Sequence, residues 1–154
     1  MSTPDRANEA GAAAERAGVT VVGGAGWSVT IAARSHVWKA DEPGESGGSD
    51  SGPTPYEMIL AALGACKAVT MRIYADRKGW PLEEARIRLR HDRIHAEDCM
   101  TCETKEGKVD RIDVEVELHG ALSAEQRERL HDIAGRCPVH RTLTSEIDIQ
   151  SRLA

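Results

Sequence analysis

The residues best equipped for chemistry are four cysteines, Cys66, Cys99, Cys102 and Cys137. Cys66 lies inside "PYEMILAALGACKAVT", a small, apolar run with helical spacing, where a thiol either fills a core or does chemistry. Cys137 is followed directly by Pro138, so it suits the cap of a helical turn with proline at the first position. A thiol there meets unpaired backbone N–H groups and the positive end of the helix, both of which favour a thiolate. His140 and Arg141 follow closely and add positive charge. One cysteine on a central helix and one at a helix start make a reasonable attacking and resolving pair, provided the fold brings them together.

Cys99 and Cys102 form "CMTC" in the polar stretch "HAEDCMTCETKEGK". A structural zinc site wants four ligands. Here His95, Cys99 and Cys102 supply three, so a zinc ion, a local disulfide, a plain thiol pair and a redox relay all remain open. His131 and His140 are candidate bases for a hydrolase, but no GxSxG elbow accompanies them.

The elements that must position these residues are mostly legible. "VTVVGGAGWSVTIAA" reads as strand, glycine turn and strand, and "HVWKA" as a third strand. Asp41 to Pro55 is dense in glycine, proline and serine and reads as a long loop. A helix starts near Pro55, with Thr54 as its cap, and "KGWP" stops it. "EARIRLRHDRI" and "VDRIDVEVELHG" alternate as two half-buried strands, which puts Arg86, Arg88 and Arg90 on one face. That face is expected to be solvated or salt-bridged, with an anionic ligand as the lesser reading. Ser123 and Gln126 form a capping box for a second helix that Gly135 and Pro138 interrupt, and "IDIQ" reads as a closing strand. The order is that of an α+β domain over residues 19–154, preceded by a loose leader over 1–18.

Composition narrows the function classes. The chain has 154 residues, a formal charge of -5 and an acidic balance that argues against non-specific nucleic-acid binding. Nothing approaches the roughly eighteen apolar residues of a membrane span. The start lacks the basic and apolar regions of a signal peptide. These features predict a cytoplasmic protein with no membrane partner, whose cysteines are thiols, ligands or redox partners.

"GPTPYEMILAALGACKAVTMRIYADRKGWPLE" together with "CPVHRTL" closely resembles the OsmC/Ohr family of thiol-dependent peroxidases, over about residues 19 to 150. The resemblance implies an intertwined homodimer with two long central helices wrapped by antiparallel sheets. It implies an antioxidant enzyme of the oxidative stress response that reduces organic hydroperoxides or hydrogen peroxide and needs no cofactor. Cys66 would attack the peroxide and pass through a sulfenic acid, and Cys137 would resolve it as a disulfide. A dithiol or lipoyl-type reductant would regenerate the thiols.

The family also places an arginine from an early strand and a glutamate from the start of the central helix beside the thiol. Arg34, or His36 with the same side parity, takes the first role. The second falls on Glu57, one position later than the family pattern, which matches Pro55 and Tyr56 instead. At about 100° per residue, Glu57 lies about 180° around the helix from Cys66, whereas position 56 lies about 80° away. The alternative function is a non-enzymatic OsmC-like protein that binds a hydrophobic ligand or a metal.

Overall fold

The computed structural model describes residues 18–154, so all but the end of the expected leader lies outside the described residues. Two compact units emerge, one ending at Pro55 and the other spanning Tyr56–Ala154.

The first unit is an antiparallel meander of β1 (Thr20–Gly23), β2 (Val29–Ala33) and β3 (His36–Ala40). Ala33 pairs with His36, so Arg34 and Ser35 form a two-residue hairpin turn, and Arg34 takes a positive φ of 53°. Such tight hairpins need that conformation because it matches the strand twist. The long loop that follows is tied to one carboxylate. Asp41 is buried and accepts hydrogen bonds from the backbone N–H groups of Glu42 (2.8 Å), Ser49 (3.2 Å) and Ser51 (3.1 Å), and from Ser51 Oγ (2.7 Å). The Ser51 hydroxyl leads, and the backbone donors add to it, in holding Asp41 below the usual carboxylate range.

In the second unit, α1 (Pro55–Lys78) is followed by a hairpin of β4 (Glu84–His95) and β5 (Lys108–His119), then by α2 (Ala124–Ala134) and the short α3 (Pro138–Leu143). The β4–β5 register runs from Glu84↔His119 to His95↔Lys108. Ala85, Ile87, Leu89 on one strand and Val114, Val116, Leu118 on the other turn inward. Arg88 on the outer face meets Glu115 (2.9 Å) and Glu117 (3.1 Å) across the hairpin, and Arg86 meets Glu84 (2.8 Å). The arginine cluster is thus part of a salt-bridged face.

Helix α1 buries a stripe at every fourth residue: Leu63, Lys67, Met71 and Ala75, with Gly64 beside it. Gly64 lets the hairpin approach closely, since a Cβ there would stand 2.8 Å from Leu89 Cδ1 and oblige that side chain to shift. Met71 and Ala75 join Leu82, Leu130 and Ala134 in the core. Helix α2 begins with the expected box, Ser123 accepting from the Gln126 N–H and Gln126 reaching back to the Ser123 N–H.

Two expectations need correction. Helix α1 is long and apolar enough to cross a membrane by length and composition, because its alanines and aliphatic residues raise the mean hydropathy of an 18-residue window to 1.4. The expected closing strand does not form: Ile147 to Gln150 have no regular structure, and Ile147 and Ile149 are exposed. Four alternating residues cannot hold extended structure without a neighbouring edge to pair with.

Candidate active site

The centre of interest is a corner between α2 and α3. Helix α2 ends at Ala134, and Cys137 caps α3 with Pro138 at the first helical position. The turn presses Cys137 inward, leaving it 0% exposed, while Cys66 on α1 stays partly accessible. The backbone N–H of His140 donates to Cys137 Sγ at 3.3 Å, as a cap should. The Cys66 thiol lies close enough to Cys137 to act on its ionisation both through hydrogen bonding and through charge. The fold therefore brings together two cysteines that the sequence holds far apart.

The expected thiolate stabilisation at the helix start does not prevail. Burial is the largest influence on Cys137 and raises its pKa, Cys66 pushes the same way, and the His140 N–H and the charge of Lys67 oppose them. Desolvation disfavours the charged form, and one capping N–H at the start of a six-residue helix does not offset it. Nor does His140 contribute a positive charge. Its pKa is pushed down, first by burial and then by Lys67, which keeps the imidazole neutral.

The positive charge comes instead from Lys67, which sequence reasoning passed over. Lys67 is 5% exposed. Nζ donates to the Ala134 carbonyl at 3.0 Å and lies 3.2 Å from His140 Nδ1. An ammonium has no acceptor, so Nδ1 must accept and the ring proton belongs on Nε2. The available signal was its place: Lys67 falls on the i, i+4 stripe of an otherwise apolar helix, next to Cys66. Beside it opens a cavity of about 420 Å³ with Leu63, Val114 and Val116 among its apolar walls and Asp110, Asp113 and His131 among its polar ones.

The other predicted residues are placed separately. Arg34 and His36 are exposed and belong to the first unit, at the β2–β3 turn and at the start of β3. Glu57 is exposed in the first turn of α1. Tyr56, just before Glu57, stacks on His91 with ring centroids 4.5 Å apart. Cys99 and Cys102 are joined as a disulfide between β4 and β5. In that oxidised form neither sulfur is a thiolate, so zinc at Cys99, Cys102 and His95 would first require reduction. Among the described residues, no group of three or more His, Cys, Asp or Glu side chains is gathered as a metal site would need.

Solved structures share this architecture. An OsmC-like protein from Mycoplasma pneumoniae is 23% identical, with a TM-score of 0.67 over 84% of this chain and 87% of that one. An organic hydroperoxide resistance protein OsmC from Legionella pneumophila is 18% identical (TM-score 0.61, 86% and 91% covered). The organic hydroperoxide resistance protein OhrB of Bacillus subtilis is 19% identical (TM-score 0.57, 86% and 93% covered). No curated protein matches the chain. The family model for OsmC-like proteins matches residues 48–152, a span that takes in α1, the β4–β5 hairpin, α2, α3 and all four cysteines; the chain belongs to the OsmC-like protein family.

Proposed function

We propose that this chain is a thiol-dependent peroxidase for organic hydroperoxides or hydrogen peroxide, with Cys66 as the attacking thiol and Cys137 as the resolving one. The observation that carries the reading is the meeting of a partly accessible Cys66 with a buried Cys137 at the α2–α3 corner. The Cys66 thiolate attacks the O–O bond, takes one oxygen as sulfenic acid and releases an alcohol or water. Cys137 then displaces the hydroxyl as water and closes a disulfide, so the accessible thiol meets substrate and the sheltered one meets only its neighbour. An external dithiol, of lipoyl or small-thiol type, returns both sulfurs to thiols. The two hydroperoxide resistance relatives support the same chemistry by their names.

Arg34 or His36, with Glu57, would hold the thiolate and polarise the peroxide at the subunit boundary of a homodimer. In support of the dimer, α1 leaves Ile59, Val69 and Ile73 exposed on a helix that is otherwise slim and apolar. The cavity beside Lys67 favours one alternative, a binder of a small amphiphilic ligand.

The test is to add limiting organic hydroperoxide to protein whose Cys66 and Cys137 are reduced, count the thiols lost and map the bonds by peptide mass. A Cys66–Cys137 disulfide that disappears in Cys66→Ser is expected. Survival of both thiols would sink the peroxidase reading and leave the binder.

A further inference from the structure

The buried stripe of α1 carries one charge among apolar neighbours. Leu63, Met71 and Ala75 are ordinary core side chains, and an apolar residue at position 67 would complete the stripe with no charge to compensate. Lys67 instead reaches the Ala134 carbonyl and His140 Nδ1, two groups that bracket Cys137 from either side, three residues before it and three after. Lys67 is also the residue next to Cys66. One side chain therefore fastens the corner that carries the second cysteine to the helix that carries the first.

We propose that Lys67 is the positioning residue of the cysteine pair: it clamps the Cys137 corner onto α1 and supplies the fixed positive charge that stabilises the Cys137 thiolate during disulfide closure. This rests on the peroxidase reading for its chemical purpose. In the step concerned, the Cys137 S–H bond breaks and its sulfur electron pair forms the S–S bond. The S–O bond of the Cys66 sulfenic acid breaks, and hydroxide leaves with the thiol proton as water. The Cys137 sulfur is oxidised and the Cys66 sulfur reduced. A buried thiol resists ionisation, so a charge held in place before the reaction lowers the cost of that moment without solvent rearrangement.

Other titratable groups share the neighbourhood. Cys66 faces Cys137 from α1 and opposes its ionisation, and His140 faces it from α3 as a neutral ring. Asp110 and Asp113 of β5 and His131 of α2 line the cavity next to Lys67 and His140. Asp110 is already engaged by His91 (2.9 Å) and Arg93 (3.6 Å). Lys67 is thus the cation that α1 presents to the corner.

The experiment follows the NMR shift of the Cys137 Cβ against pH in the Cys66→Ser background, which removes the coupling between the thiols and requires no access to the buried sulfur. Lys67→Met and Lys67→Gln are compared with Lys67→Arg. Glutamine keeps an N–H donor for the corner while losing the charge, so it tests the charge even where methionine fails to fold. Both neutral variants should raise the midpoint by about one pH unit, a tenfold smaller thiolate fraction at fixed pH, and arginine should restore most of it. With Cys66 present, the neutral variants should accumulate sulfenic acid, trapped by a dimedone-type reagent, at the expense of disulfide. Equal midpoints for lysine and the folded neutral variants would overturn the assignment. A chain with Cys66 intact that forms neither sulfenic acid nor disulfide, yet shows the midpoint shift, would overturn the peroxidase reading alone.

Discussion

The two cysteine pairs of this chain are built in opposite ways. Cys99 and Cys102 lie three residues apart on a polar excursion, bonded to each other, with Met100 between them 97% exposed. Nothing but local chain geometry is needed to make them meet. Cys66 and Cys137 meet only because α1, the hairpin and α2 pack into one core, and they remain thiols. A pair formed by local chain is robust and indifferent to the rest of the molecule. A pair formed by packing reports on the whole second unit, and can be tuned by it through burial, a capping N–H and a lysine.

The largest way to break the comparison is Cys66→Ser. Hydroperoxide-dependent thiol loss at Cys137 should vanish, while Cys99 and Cys102 stay bonded; peptide mapping after oxidation reads both. Next comes Met71→Ala, one helical turn beyond Lys67 in the buried stripe. Removing this fully buried side chain should cost about 2–5 kcal/mol in denaturant unfolding. It should also open Cys137 to alkylation with little effect on the short disulfide.

A smaller effect concerns pH. His140 is held below its usual value near 6.5, so the folded state binds that proton less readily than the unfolded chain does. Its contribution to stability is complete above that value and is lost as pH falls through the folded value. His140→Asn, which keeps an acceptor for Lys67, should flatten that part of the stability–pH curve. The smallest change sharpens the contrast from the other side: Cys99→Ser with Cys102→Ser should leave the rate of Cys66–Cys137 disulfide formation unaltered. A marked slowing would mean that the excursion relays electrons after all.

What was legible in the sequence follows the same division. Thr54 to Pro55, Ser123 with Gln126, and Cys137 with Pro138 are local signals, and the elements they announce begin where expected. The β4–β5 alternation is equally local. The meeting of Cys66 and Cys137 was not available from spacing and came only through the family likeness. Lys67 was missed because a single lysine in an alanine-rich helix reads as a solvent-facing residue until the buried stripe is known. The thiolate expected at Cys137 was overruled because helix-end stabilisation is visible in a motif and desolvation is not. The closing strand failed for a related reason: alternation in "IDIQ" states a preference, and pairing requires a partner edge.

The loop after β3 is gathered around the Asp41 carboxylate. Three backbone amides and one hydroxyl converge on one carboxylate, while the turn inside the loop is closed separately by the Ser46 and Gly48 N–H groups donating to the Pro43 carbonyl and by the Asp50 N–H donating to the Glu42 carbonyl. The loop therefore has two layers of closure, one that answers to the charge of Asp41 and one that does not. Amide exchange at Glu42, Ser49 and Ser51 should quicken together when acid protonates Asp41, while Ser46 and Gly48, bonded to the Pro43 carbonyl, should follow a separate opening.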